Sequence, residues 1–160
     1  MVDVVTEIEI RRPRVAVAAY AANPENAPAW YSNIKAVRWE TAPAMALGSK
    51  VAFRAQFLGK SLEYVYEFTE LDPGRKLVMR TAQGPFPMQT TYTWTEAAGG
   101  STRMTLRNTG TPPGFPAVVN LVMAPMMRRA MRKDLAKLKS LLEGGGSQAT
   151  QEKTQRKDKS

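Results

Sequence analysis

PAVVNLVMAPMMRRAMRKDLAKLKSLLE, residues Pro116–Glu143, reads as one long amphipathic helix. Val119, Val122, Met123, Met126, Met127, Ala130, Met131, Leu135, Leu138, Leu141 and Leu142 recur at steps of three and four, which sets them along one side. Arg128, Arg129, Arg132, Lys133, Lys137 and Lys139 fall mostly on the other side. Such a rod is about 40 Å long. It is the only long helix the sequence offers, and the chain before Gly110 reads mainly as strand. A lone amphipathic helix after a run of strands has to bury its apolar stripe against the sheet. Pro125 removes one backbone donor inside the pattern and predicts a bend, with a break between an entry turn and the main rod as the alternative. Gly144-Gly145-Gly146 predicts the stop.

Upstream of the helix, apolar and polar residues alternate in short runs. Val4, Thr6, Ile8 and Ile10 share a parity opposite Glu7 and Glu9, the mark of a half-buried strand. Ala-rich Arg14–Ala22 suits a short helix. Asn23-Pro24 reads as a cap followed by proline at the first helical position, opening a second short helix over Glu25–Tyr31 with Trp30 and Tyr31 as buried anchors. Strands follow at Ile34–Thr41, Val51–Phe57, Leu62–Phe68, Leu77–Ala82, Met88–Thr95 and Thr102–Asn108. Gly59, Asp72-Pro73-Gly74, Gly84-Pro85-Phe86-Pro87 and Gly99-Gly100 supply the turns between them. Turns between consecutive strands mean an antiparallel meander. A sheet of this many strands twists and curls. Curled round a straight helix, it cannot touch that helix everywhere, so a cavity between the two is expected.

Composition bounds the chemistry. A chain of 160 residues has room for one domain with a core of its own. It has no cysteine and no histidine. Disulfides, thiol nucleophiles, His–metal centres and Ser-His-Asp mechanisms are thereby excluded, and no cofactor or metal is expected. No apolar run has the length of a membrane span, and no signal peptide is evident, so a cytoplasmic location is expected. The net charge of +9 is placed unevenly: residues 1–100 hold 11 basic and 10 acidic side chains, residues 101–160 hold 12 and 4. A basic helix face and tail can meet an anionic membrane surface or an acidic partner, or simply be solvated. No nucleic-acid reader motif is present. The oligomeric state is left open, with a monomer the simpler expectation. Residues 144–160 contain no apolar side chain larger than alanine and predict a disordered basic tail.

The order of phrases resembles the START-like (SRPBCC) superfamily, the polyketide cyclase/dehydrase and lipid-transport group with the helix-grip fold. The phrases are Asn23-Pro24-Glu25-Asn26 to Trp30, Gly48, Glu70-Leu71-Asp72-Pro73-Gly74-Arg75-Lys76-Leu77, Gly84-Pro85-Phe86, Gly99-Gly100-Ser101-Thr102-Arg103-Met104, and Leu135, Leu138, Leu142-Glu143. The resemblance covers about residues 2–143. It implies an α+β fold in which a curved antiparallel sheet of about six or seven strands grips one long C-terminal helix. It also implies an apolar pocket for a lipid, sterol, polyketide or aromatic metabolite. It implies no single reaction, since enzymes and carriers share the fold.

With that pocket in view, the inward parity carries Phe53, Phe57, Leu62, Tyr64, Tyr66, Phe68, Met79, Thr81, Met88, Thr90, Tyr92, Trp94 and Met104, and the helix adds Val119, Val122, Met123, Met126 and Met127. These are the candidate ligand-binding residues; ordinary core filling is the plainer reading of any one of them. Methionine suits a pocket that adapts to its occupant. Tyr64, Tyr66 and Tyr92 are the polar exceptions, able to orient a ligand oxygen or to serve as weak acids. Arg80, and less so Arg54, would enter the cavity only if a bulge reversed the register. Glu63 and Glu67 read as a solvated strand face. With no paired inward carboxylates, whether the protein is an enzyme is open. The expectation is binding or transport of a hydrophobic small molecule, with an aromatase/cyclase-type enzyme or a membrane-docking protein as alternatives.

Overall fold

Each alternating run forms a strand. A computed structural model describes the backbone of residues 1–57, 59–111 and 117–158, and the side chains of residues 1–56, 59–111 and 121–144. The elements run β1 (Val2–Ile10), α1 (Arg14–Ala22), a 3-10 turn (Pro24–Asn26), α2 (Ala27–Trp30), β2 (Ile34–Trp39), β3 (Lys50–Phe57), β4 (Lys60–Asp72), β5 (Lys76–Gln83), β6 (Met88–Glu96), β7 (Thr102–Gly110) and α3 (Ala117–Asp158). Asn23 caps the turn by accepting the Glu25 N–H at 3.0 Å.

The strands form one antiparallel sheet in the order β1-β7-β6-β5-β4-β3-β2. After β1 the chain crosses by α1 and α2 to the far edge, enters β2 and meanders back until β7 lies beside β1. The register shifts between Ile34 and Ala36, between Val65 and Tyr66, and between Phe68 and Glu70. Such irregularities bend a strand and add twist. Gly74 turns the β4–β5 hairpin at φ 80°, and its carbonyl accepts Arg14 Nη1 at 2.7 Å, tying α1 to that turn. Gly84 allows a close approach: a Cβ there would lie 2.9 Å from Thr81 Cγ2 and 3.0 Å from Tyr64 Cβ.

The core lies where sheet and helix meet. Val4 and Ile10 of β1, Met104 and Leu106 of β7, Phe68, Leu77, Val17 and Trp30 are buried with Leu135 and Leu138 of α3. Each large apolar side chain so buried contributes about 1.5–3 kcal/mol. The basic residues Arg129, Arg132, Lys133 and Lys137 are exposed on the helix's other side.

One alternative and one expectation for the helix need correction. It is not broken at Pro125, which lies inside a continuous helix. Proline costs the bond to the carbonyl four residues back, Leu121, and that residue is exposed to water. Nor does the helix stop at Gly144: its backbone runs through Gly144-Gly145-Gly146 to Asp158. Glycine costs about 1 kcal/mol against alanine in a helix, but Gln, Glu, Lys and Arg downstream favour one.

A small polar clasp fastens α3 to β1. Glu143 Oε1 accepts the Arg11 backbone N–H at 2.9 Å and Lys139 Nζ at 2.9 Å, and Lys139 also reaches the Glu9 carbonyl at 2.7 Å. The Lys139 ammonium first, then the Arg11 N–H, hold the Glu143 carboxyl down to about 2. Stability from this carboxylate is complete above its ordinary value of 4.5 and is lost as pH falls from there through about 2. Glu143→Gln should flatten the acid limb of a Tm-against-pH curve in that window and leave other acid transitions in place.

Candidate functional site

Beyond the point where Leu135 and Leu138 seal the helix to the sheet, the two surfaces part. A cavity of about 370 Å³ lies between them, within the size range of small-molecule sites. β3 contributes Phe53 and Ala55, β4 Leu62, Tyr64 and Tyr66, β5 Met79, and β6 Met88, Thr90 and Tyr92. α3 closes the other side with Met123, Met126, Met127, Ala130, Met131 and Asp134. Val2, Gln56, Tyr31–Ile34, Phe86 and Asn108–Gly110 complete the rim.

Of the residues the sequence puts forward, Phe53, Leu62, Tyr64, Tyr66, Met79, Met88, Thr90, Tyr92, Met123, Met126 and Met127 are brought together around this space. Phe68, Trp94 and Met104 are not: they share the inward parity but sit in the solid core. Thr81 is spent on the β5–β6 hairpin, accepting the Met88 N–H at 2.9 Å and donating to its carbonyl at 3.1 Å. Val122 is exposed to solvent. Arg80 stays on the outer face, donating to Gln89 Oε1 at 2.6 Å, and Arg54 is exposed. The side chains of Phe57 and Val119 lie outside the described residues.

The cavity's polar groups are few and ordered. The Tyr66 hydroxyl donates to Thr90 Oγ1 at 2.9 Å, and Thr90 donates onward to Asn108 Oδ1 at 2.7 Å. Tyr31 and Tyr92 share a hydroxyl–hydroxyl bond of 2.5 Å. Phe53, Tyr64 and Tyr66 form an aromatic cluster with ring centroids 5.0–5.8 Å apart, favourable spacing for edge and offset contacts. Burial is the main cause that raises the phenols: Tyr66 to about 12, Tyr31, Tyr64 and Tyr92 likewise upward. All four are neutral at physiological pH and work as donors and acceptors rather than as charges.

Thr90→Val should cost about 1–3 kcal/mol, because it strands the Tyr66 hydroxyl and the Asn108 amide together. A thermal melt reads this as a loss of roughly 3–10 °C, with Thr90→Ser close to wild type.

Asp134, Tyr31 and Asn108 are the polar lining residues of most consequence that sequence reasoning misses. Asp134 is 4% exposed and lines the cavity. One oxygen accepts the Ser32 N–H at 3.1 Å. Burial raises its pKa, and the Ser32 bond and nearby Lys133 offset part of that. The sequence reading weighed only paired carboxylates on the inward face; the helix contributes a single one. Its signal was in the helical spacing, three residues after Met131 and four before Leu138. Tyr31 follows α2, its ring 4.0 Å from that of Trp30.

A curled antiparallel sheet gripping one C-terminal helix, with an apolar chamber between them, defines the helix-grip class. The chain belongs to the polyketide cyclase/dehydrase and lipid transport family, whose model matches residues 1–143. No curated protein sequence matches it. Among solved structures, TTHA0849 from Thermus thermophilus superposes with a TM-score of 0.76 at 18% identity, over 89% of this chain and 98% of that one. Zhui aromatase/cyclase from Streptomyces sp. R1128 gives 0.72 at 15%, over 88% and 93%. A START superfamily protein from Mycobacterium smegmatis gives 0.66 at 16%, over 92% and 98%. At such identities the likeness establishes the fold. Among the described residues no helix is long and apolar enough to cross a membrane.

Proposed function

We propose that residues 1–143 bind an apolar or amphipathic small molecule, a lipid, sterol, polyketide or aromatic metabolite, in the cavity between the sheet and α3. The observation that carries this reading is the lining. Methionines on α3 and aromatic rings on β3, β4 and β6 face one space of about 370 Å³, with hydroxyl and amide groups at a few fixed places. Burial of the ligand's apolar surface supplies affinity, and the polar groups orient it. Native mass spectrometry of protein taken from cell extract should show a co-purified molecule. Titration with lipids, sterols and aromatic polyketides should show saturable binding in at least one class. A bare protein that binds none of them would remove the reading.

A second reading, a cyclase/dehydrase that folds a polyketide chain, draws on Asp134. A partly desolvated carboxylate with a raised pKa is suited to take a proton from carbon beside a carbonyl. Tyr31, Tyr64, Tyr66 and Tyr92 are neutral donors for the carbonyl oxygen. Here Asp134→Asn abolishes turnover while ligand binding persists; turnover that survives it sets the enzyme reading aside.

A further inference from the structure

Charge distinguishes this cavity as much as shape does. Among the described lining residues there is no lysine or arginine, and the one carboxylate is Asp134. In sequence, FL at 57–58 and PPGFPAVVN at 112–120 contain no charged residue. We propose that the cavity selects an uncharged amphipath whose hydroxyl or phenol donates to Asp134, and that it rejects molecules ending in a carboxylate or phosphate. This deepens the proposed binding role and rests on it.

Among the described residues the Asp134 carboxylate accepts the Ser32 N–H at 3.1 Å and is also met by the Ser32 hydroxyl. Among the described residues no cation lies within ion-pair distance of it. A carboxylate has about four acceptor sites, so Asp134 keeps capacity for a ligand donor beside Ser32. A buried charge left this way gains from any donor a ligand can bring. A ligand hydroxyl supplies that donor without adding charge. An incoming anion instead shares a weakly polar chamber with a like charge, and no guanidinium fork or ammonium receives it. Lys133, next in sequence, is exposed on the solvent side of α3.

A second polar position fits the same ligand. Because Asn108 Oδ1 already accepts Thr90 Oγ1, the amide presents its Nδ2 as a donor for a ligand carbonyl or ether oxygen. The cluster of Phe53, Tyr64 and Tyr66 offers faces to an aromatic or alicyclic body. A polyoxygenated, unionised ring system meets all three demands.

The test uses 2-naphthol and 2-naphthoate, which share a ring system and differ in charge at neutral pH. Each is titrated calorimetrically into the full-length protein. Naphthol should bind, and naphthoate should bind at least about thirtyfold more weakly. Asp134→Asn should improve naphthoate affinity about tenfold or more, whereas Asp134→Glu should keep the discrimination. Equal affinities in the wild-type protein overturn the inference and leave the cavity a binding site. A folded Asp134→Asn protein with unchanged discrimination overturns the role of Asp134. If neither probe binds while a lipid, sterol or polyketide does, the inference falls and the binding role stands; if none of these binds, both fall. Should Asp134→Asn not fold, the wild-type comparison decides alone.

Discussion

Trp30→Ala should destabilise the protein by about 3–5 kcal/mol, the range for truncating a buried large aromatic residue. Trp30 is 1% exposed and ends α2, a helix of only four residues. So short a helix is not stable on its own and persists through packing. The Trp30 ring lies 4.0 Å from Tyr31 and 5.9 Å from Tyr92, so it wedges α2 against β6. Removing it leaves a void that a rigid sheet cannot close, and it frees Tyr31 from its hydroxyl bond with Tyr92. Tm should fall by roughly 6–20 °C, and ligand affinity should fall with it, because Tyr31 belongs to the cavity wall. Trp30→Phe keeps most of the wedge and should lose far less. A denaturant melt showing under about 1 kcal/mol for the alanine variant would mean that α2 is held by something else.

The sheet is legible because its strands are buried on one face. Val2–Ile10 and Met88–Glu96 alternate residue by residue, and a period of two has one physical meaning. The turns are legible because Asp72-Pro73-Gly74 can do little else. Depth within the cavity is not legible. Parity says that Tyr66 and Phe68, or Tyr92 and Trp94, face the same way; it does not say where α3 stops touching the sheet. Phe68 and Trp94 therefore look identical to lining residues until the helix is placed over them. Long-range partners are equally hidden: Tyr31 and Tyr92 meet across 61 residues, and nothing local to either announces the other. Asp134 is different. Its spacing along α3 placed it on the buried stripe, and the habit of assigning acids to solvent hid it. The glycine run misled in the opposite sense, since a local stop signal yields to the helical propensity of the residues downstream, from Gln148 to Lys157.

Filling the chamber from both walls should abolish binding while sparing the fold. Ala55 of β3 and Ala130 of α3 both line the cavity, and both are small. Ala55→Phe combined with Ala130→Phe places two rings in space already empty, so the usual strain of overpacking is largely avoided and stability should move by no more than about 1–2 kcal/mol. A ligand denied roughly 120 Å² of apolar contact loses about 3 kcal/mol at ~25 cal/mol/Å². Affinity for whichever lipid, sterol or polyketide binds the wild type should fall about a hundredfold or more. Naphthol and naphthoate should weaken together, unlike the gain in naphthoate affinity expected at Asp134→Asn, so the pair of variants separates exclusion by volume from exclusion by charge. Retained affinity in a double variant with a wild-type melt would move the ligand out of the chamber. Among the described residues, Leu121 and Val122 of α3 then offer exposed apolar surface.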